Sequence, residues 1–281
     1  MFAILALCAT NSAFAQMKLV PIEETPRTME AELFASADQT LVQKYMPTGG
    51  APASMSSFVL FAGEETILFD AGLGGETWVK KLTDSGVQPE SVKLILLTHM
   101  HPDHIGGLLQ GNERRFLNAR VRAAEPEFNY WYTITSSVDN SFLTFKPRTK
   151  QLEQIQQAYG QNGGLATFKF DMVVFENSEV KIKALDAVGH TPGHTAFLIE
   201  SQKEKLLIVG DILHAAALQF PAPGVCSRYD MDAEKTVASR KRILDFAAQE
   251  KIPVAGMHFP APHVLLVEKN DQGGYTFRAG H

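Results

Sequence analysis

The chain is poor in cysteine and in tryptophan, with two residues of each among 281. Two cysteines cannot supply the set of thiolates that closed structural zinc sites usually contain. Cys8 lies in an N-terminal segment that we expect to be removed, so Cys226 would be alone in the mature protein and an internal disulfide is excluded. We interpret Cys226 as a small core or loop residue rather than a reactive thiol.

The sequence also lacks an excess of positive charge. It has 26 Lys and Arg against 31 Asp and Glu, a net charge of −5 and a pI near 6.0. A broad basic surface that follows a phosphate backbone is therefore not expected, and a nucleic-acid partner is disfavoured. With 45% hydrophobic and 20% charged residues, the composition suits one large globular domain with a substantial core.

After the first fifteen residues, no apolar run is long enough to span a bilayer. The N-terminal stretch "MFAILALCATNSAFAQ" has a short apolar run and an Ala-x-Ala site, with cleavage expected before Gln16. We predict a signal peptide over 1–15, a single domain over 16–281, and a secreted or periplasmic protein. No Lys or Arg precedes the apolar run. The alternative is an N-terminal anchor or a buried helix, which the short length of the run disfavours.

Apolar periodicity predicts a layered α/β domain, with two packed sheets covered by helices. In the first half we expect two strands around a turn at 63–65, strands over 94–97 and 120–123, and helices over 76–85, 125–132 and 148–159. In the second half we expect strands at 180–188, "HTAFLIES", "KLLIVGD", "IPVAGMH" and "HVLLVEK", and a long helix over 232–249.

Four residues with metal-binding side chains follow the apolar run "VKLILL", in the stretch "LTHMHPDHIGGL". They are His99, His101, Asp103 and His104. Residues two apart in an extended segment point to the same side, whereas Pro102 and the following Gly106-Gly107 pair allow the chain to turn. The motif can therefore present two groups of ligands.

Imidazoles and carboxylates without thiolates are typical of catalytic zinc, or of related ions such as Mn²⁺ and Co²⁺. Further candidates lie near predicted strand ends: His190 and His194 in "GHTPGHT", Asp211 and His214 in "LLIVGDILH", and His258 and His263 in "AGMHFPAPH". These are enough for two metals. Solvated surface histidines are the alternative, which the position after a buried strand disfavours.

The pattern His-x-His-x-Asp-His, followed by Gly-His-Thr, Gly-Asp and a late His, resembles the metallo-β-lactamase superfamily from about Ser57 to Val264. The resemblance implies a four-layer αββα sandwich with a binuclear site. It places His99, His101 and His194 on the first metal, Asp103, His104 and His258 on the second, and Asp211 between both. It also implies that Asp70 in "LFDAG" orients the ligand loop.

The remaining histidines receive other roles. We interpret His190 as a turn residue or a support of the ligands, and His214 as structural or as a hydrogen-bonding neighbour of the site. His263 competes with His258, which we favour because it follows a predicted strand.

Within the superfamily, several branches are disfavoured. The common zinc β-lactamases carry cysteine where this chain has Asp211, and the flavin-linked di-iron oxidoreductases carry glutamate in place of His101. Transfer-RNA processing enzymes share the first motif, but they do not match the expected compartment or charge. The sequence around the ligand motifs is most similar to that of the methyl parathion hydrolase and N-acyl homoserine lactonase branch.

This branch implies a small-molecule ester, lactone or phosphotriester substrate, two divalent ions (Zn²⁺ in the first place) and a possible homodimer. Our hypothesis is attack by a metal-bridging hydroxide, with Asp103 and Asp211 as catalytic residues. The loop "MPTGGAPASM" and four aromatic residues are candidates for the pocket: Phe116, Phe128, Trp131 and Phe220. The alternatives are a glyoxalase II-type thioesterase, a β-lactamase, or a metal-binding protein without catalysis.

Overall fold

Alternating apolar residues build two β-sheets that pack face to face. The structure is a computed structural model and describes residues 17–134 and 149–280. The predicted signal peptide and Arg148, the first residue of one predicted helix, lie outside the described residues.

The described chain contains fifteen strands, seven α-helices and four short 3₁₀ turns. The strands are β1 (Lys18–Glu30), β2 (Gly50–Ala62), β3 (Glu65–Phe69), β4 (Val92–Leu96), β5 (Leu109–Gln110), β6 (Glu113–Arg114), β7 (Arg120–Ala124), β8 (Leu165–Phe168), β9 (Val173–Glu176), β10 (Val180–Asp186), β11 (Thr195–Ser201), β12 (Lys205–Gly210), β13 (Val254–Gly256), β14 (Val264–Lys269) and β15 (Tyr275–Ala279). The helices are α1 (Gln39–Tyr45), α2 (Glu76–Asp84), α3 (Pro102–Ile105), α4 (Glu125–Ile134), α5 (Thr149–Tyr159), α6 (Ala216–Gln219) and α7 (Ala233–Glu250). The 3₁₀ turns are Ala31–Phe34, Pro89–Ser91, Gly106–Leu108 and Gln161–Gly163.

The strands form two large sheets and one small hairpin. The first sheet has the order β1-β2-β3-β4-β7-β8, and its last four strands run parallel. The second sheet has the order β15-β14-β13-β12-β11-β10-β9 and is antiparallel except where β12 lies beside β13. The hairpin pairs β5 with β6.

Apolar side chains fill the space between the sheets and both outer faces. Phe58 and Phe69 of the first sheet share the central core with Phe197 and Ile208 of the second. One outer core joins α2, α4 and α5 to the first sheet, and another joins α7 to the second. The expected αββα layering is therefore confirmed.

Most predicted elements are present, but the N-terminal part of the domain differs from expectation. Strand β1 was not predicted, and it pairs with β2 from Gly50 to Phe61. The segment "MPTGGAPASM", expected as a flexible loop, mostly forms the first part of β2. Within 17–134 and 149–280, no helix combines the length and apolar character that crossing a membrane requires.

The fold brings several strand ends to one edge. Leu96, Gly210 and Gly256 end β4, β12 and β13, and the segments that follow carry the histidines and aspartates of the sequence motifs. The candidate site lies at this edge.

Candidate metal centre

The ligand loop after β4 turns into a short helix instead of continuing as a strand. His101 is extended, with φ −67° and ψ 157°, and precedes α3, which begins at Pro102. Proline suits the first turn of a helix because its missing N–H would have no partner there. As a result, His101 lies on the extended segment, while Asp103 and His104 lie on α3. The two groups expected from the motif are thus separated by the start of a helix.

The two glycines after α3 allow a close backbone approach. A Cβ atom on Gly107 would lie 2.1 Å from the carbonyl oxygen of Ala71, and one on Gly106 would lie 2.3 Å from that of Leu73. A side chain at either position would push the ligand loop away from the segment after β3.

Asp70 fastens the ligand loop from the end of β3. It has a left-handed backbone, with φ 57°, which aspartate tolerates better than most residues. Its carboxylate accepts hydrogen bonds from Thr98 N (2.8 Å), Thr98 Oγ1 (2.7 Å) and His104 Nδ1 (2.7 Å). Burial raises the pKa of Asp70, and these donors oppose that rise. These contacts hold His104 Nδ1, the ring nitrogen that faces away from the site.

A first group of three buried histidines meets at the edge of the sheets. His99 Nε2 lies 3.0 Å from His101 Nδ1, which lies 3.1 Å from His190 Nε2. Each offers a ligand atom within 4.8 Å of the others, so this group could hold a metal ion.

His190 occupies the place that the sequence interpretation gave to His194. His190 Nδ1 donates to Asp230 Oδ1 at 3.0 Å, which leaves Nε2 directed toward His101. His194 Nδ1 donates to the carbonyl oxygen of Ala187, and its Nε2 accepts from Asp211 N at 2.9 Å. Both ring nitrogens of His194 form hydrogen bonds with backbone atoms. The structure therefore brings His190, and not His194, to the first group.

A second group combines two carboxylates with two histidines: Asp103, His104, Asp211 and His258. Asp211 Oδ2 lies 2.9 Å from His258 Nε2 and 3.2 Å from His104 Nε2. Asp103 lies at 3.6 Å from His104 Nε2 and 3.7 Å from His258 Nε2.

Asp211 lies between the two groups. Its Oδ2 is 3.8 Å from His99 Nε2 and 3.7 Å from His190 Nε2, in addition to its contacts in the second group. This is the position required of a carboxylate shared by two ions.

Unpartnered buried atoms support a metal fit. Asp103 Oδ1 and Asp211 Oδ1 have no hydrogen-bond partner among the described residues. Such atoms are costly to bury unless they coordinate a ligand. Nitrogen and carboxylate oxygen donors without thiolate suit Zn²⁺ or a similar divalent ion. The residues present therefore fit two divalent ions.

The protonation of the first group also suits a metal. Burial, together with neighbouring imidazoles, lowers the pKa of His99, His101 and His190 well below the ordinary value. They are neutral near pH 7, which is the form that binds metal.

In the second group, the pKa of the two histidines is raised instead of lowered. Burial opposes charging of His104 and His258, but Asp211 and Asp103 outweigh it and raise the pKa of both rings. Burial also disfavours the ionised form of Asp211, yet His258 and His104 hold its pKa well below the usual range. Positive charge in this group stabilises the buried carboxylates, a role that divalent ions can take over.

The two groups lie at the base of a cavity of about 470 Å³. His101, Asp103, His190, Asp211, His214 and His258 form its polar floor, while Met29, Leu33, Met55, Leu73 and Tyr229 form an apolar wall. Arg27 and Arg228 lie at the exposed rim.

None of the four aromatic residues expected in the pocket lines this cavity. Phe116 packs on Trp78 in the core, Phe220 on Phe259, and half-buried Phe128 on Tyr132. Trp131 is buried behind His101, with ring centroids 5.8 Å apart. The pocket prediction was wrong for these residues because aromatic side chains were needed between the sheets and helices. Of the 46–55 segment, only Met55 reaches the wall.

The contacts of His214 and His263 show which of the two lies near the metal centre. His214 borders the cavity, with Nε2 3.7 Å from Asp211 Oδ2 and its ring stacked on His258. His263 instead lies near Glu23, outside the ligand groups found among the described residues. The structure therefore brings His258, and not His263, to the second group.

Comparisons with known proteins agree with this fold. The sequence profile of the metallo-beta-lactamase superfamily matches residues 51–158. The solved structure of a hydrolase of the beta-lactamase superfamily, AbOPH, superimposes with a TM-score of 0.81 at 26% identity and covers 94% of each chain. The lactonase AidC, described as dizinc and quorum-quenching, gives a TM-score of 0.78 at 24% identity over 95% of this chain and 96% of its own. This second likeness shows the fold.

A curated relative, ribonuclease Z of Prochlorococcus marinus (strain MIT 9515), is 26% identical over 202 residues, or 68% of this chain. The chain spans about half the length of that relative, 56%. The chain therefore has the metallo-β-lactamase fold, and residues 51–158 together with the His/Asp cluster are similar to the metallo-β-lactamase superfamily.

Proposed function

We propose that the protein is a binuclear metal-dependent hydrolase of small esters, lactones or phosphotriesters. The observation that carries this proposal is the position of Asp211 between two ligand groups on the floor of a cavity with an apolar wall. His99, His101 and His190 would hold one ion, and Asp103, His104 and His258 the other, with Asp211 shared.

When bound, the two ions would supply Lewis acidity and an activated water at this point. The chain's own residues then position the reaction. Asp103 Oδ1 faces the second group without a hydrogen-bond partner among the described residues, so it can orient the attacking water and carry a proton to the leaving group. His214, on the cavity floor, can donate a hydrogen bond to the scissile group of the substrate.

The wall opposite the floor favours an apolar group on the substrate. Met29, Leu33, Met55 and Leu73 form a surface suited to an acyl chain or an aromatic leaving group. AbOPH is a hydrolase and AidC is a lactonase, which supports the same class. Because one curated relative is a ribonuclease, RNA is the competing substrate, which the net charge of −5 disfavours.

The test is hydrolysis by the purified protein of four substrates: an N-acyl homoserine lactone, an aryl phosphotriester, a thioester and a short transfer-RNA precursor. We expect turnover of the lactone or the phosphotriester, loss of turnover with a chelator, and recovery with Zn²⁺, Mn²⁺ or Co²⁺. Preferential cleavage of the RNA would contradict the substrate class. Bound metal without turnover of any of the four would support a non-catalytic metal-binding protein.

We also propose that residues 1–15 direct secretion. The argument is the apolar run and Ala-x-Ala site of the sequence. Expression of the full chain in a Gram-negative host should yield periplasmic protein that begins at Gln16, as determined by N-terminal sequencing. Uncleaved protein that stays in the cytoplasm would contradict the proposal.

A further inference from the structure

Helix α4 lies behind the ligand loops and does not contribute to the cavity wall. It carries Glu127, whose side chain is 0% exposed, and Trp131, which is 2% exposed. A carboxylate at this depth needs several donors, because burial raises the free energy of its ionised form.

Glu127 accepts four hydrogen bonds, two on each carboxylate oxygen. Oε1 accepts from Met100 N at 2.9 Å and from Trp131 Nε1 at 2.6 Å. Oε2 accepts from Thr191 Oγ1 at 2.7 Å and from Gly193 N at 2.9 Å.

Three of these donors belong to the two segments that carry the first ligand group. Met100 lies between His99 and His101, while Thr191 and Gly193 follow His190. The second of these segments packs closely on α4, since a Cβ on Gly193 would lie 2.1 Å from Glu127 N. None of the four donors is a member of the second group.

We infer that Glu127 is the positioning residue of the first metal group. It joins the His99–His101 segment and the His190 segment to one helix and thereby sets the separation of the three imidazoles. The inference deepens the proposed function and depends on its metal centre. It predicts that the two ions differ in their sensitivity to a change at Glu127.

A carboxylate is required because all four partners are donors. In Glu127→Gln, the amide nitrogen would take the place of one carboxylate oxygen, so at least one of the N–H groups of Met100, Trp131 and Gly193 would lose its acceptor. Thr191→Val removes a single donor while keeping the shape of a buried side chain. It therefore weakens the same connection with less risk to folding.

A matched control exists at the opposite edge of the sheets. Asn177 accepts hydrogen bonds from Glu179 N and Val180 N and donates to the carbonyl oxygen of Ala62. Asn177→Ala thus removes three hydrogen bonds, of which the one to Ala62 joins separate segments, and it touches no ligand segment.

The experiment loads wild type, Glu127→Gln, Thr191→Val and Asn177→Ala with Co²⁺ and titrates each with a chelator. Bound metal per chain, the Co²⁺ absorption spectrum and the thermal midpoint are recorded on the same samples. In Glu127→Gln, we expect one ion to be released at about 10- to 100-fold lower chelator activity, while the other is released as in wild type. Thr191→Val should show a smaller shift of the same ion, and Asn177→Ala none.

Unchanged release from Glu127→Gln, or equal weakening of both ions, would overturn the role of Glu127. If Glu127→Gln does not fold, Thr191→Val decides by the same criteria. A wild-type protein that binds fewer than two ions would instead overturn the metal centre and, with it, this inference. Two ions in wild type with no selective release would leave the proposed function intact.

Discussion

His190 and His194 are four residues apart in "GHTPGHT", and their partners determine which one reaches the metal centre. Asp230 lies forty residues after His190, accepts from its Nδ1 and is itself held by Ser227 N at 2.8 Å. A carboxylate on one imidazole nitrogen orients the other toward a metal. The spacing in the sequence contains no information about this partner, so it could not distinguish the two histidines.

We therefore predict that His190→Ala loses one of the two ions and lowers kcat/KM by more than about 100-fold. Mutation of a residue that only supports a metal ligand already lowers metal affinity or activity by about 10- to 100-fold. Metal analysis and kinetics on the same sample measure this. His263→Asn is the control, because His263 is also buried and has a left-handed backbone that asparagine tolerates. Retention of both ions by His190→Ala would contradict the prediction.

A second prediction at this scale concerns Leu73 in the apolar wall. Leu73 is 40% exposed, so its replacement should leave folding intact. Leu73→Asn should raise KM about fivefold for a substrate with an apolar chain, because contact with part of a leucine side chain is worth about 1 kcal/mol. Bound metal and kcat should change little. Leu117→Asn, at a position that is 59% exposed and outside the wall, should not change KM.

The site was otherwise well indicated by the sequence. His99, His101, Asp103, His104, Asp211 and His258 all lie in the two groups that could hold metal. Because the ends of several strands in a layered fold meet at one edge, metal-binding residues that follow predicted strands are expected to lie close together. Glu127 was missed because its four partners come from three separate segments of the chain.

Among the secondary-structure elements, buried strands were predicted well and the edge strands β1, β8, β9 and β15 were not. The clearest case is β1. Its sequence, "KLVPIEETPRTME", contains Pro21 and Pro26 and lacks a clear apolar alternation. Proline occurs in sheets mainly on edge strands, and β1 forms the edge of the first sheet. Since β1 was missed, its partner in the first part of β2 was interpreted as a loop.

The turn after α3 gives an element-scale prediction. Gly107→Ala should destabilise the protein by about 1–3 kcal/mol, as overpacking does, and should weaken metal binding because the added Cβ contacts Ala71 O. Urea unfolding and chelator titration measure the two effects. Gly224→Ala is the control, since a Cβ there meets nothing within 4 Å. Equal stability of the two variants would show that the close approach has no energetic role.

The whole molecule should lose stability in acid when its metals are removed. Burial lowers the pKa of His194 from 6.5 to about 4, and it also lowers the pKa of His99, His101, His190 and His214. The unfolded chain therefore binds more protons than the folded protein below pH 6.5. The stabilising contribution is complete above pH 6.5 and decreases as the pH falls toward 4.

His194 alone contributes on the order of 3 kcal/mol to this loss at full protonation. His104 and His258, whose pKa is raised by carboxylates, and Asp70 and Glu127, whose pKa is raised by burial, act in the opposite sense, but they are fewer than the five histidines. Urea unfolding of chelator-treated protein between pH 7 and 4.5 tests the balance. Constant or rising stability over this range would contradict it.

At the scale of the whole molecule, both sheets and the segments after β4, β12 and β13 meet at Asp211. Its carboxylate lies close to both ligand sets, so the most direct test is the metal content and turnover of Asp211→Asn beside wild type. We predict two ions in wild type, a loss of at least one in the variant, and a fall in turnover of more than about 100-fold. Two tightly bound ions and near-normal turnover in Asp211→Asn would contradict the binuclear centre.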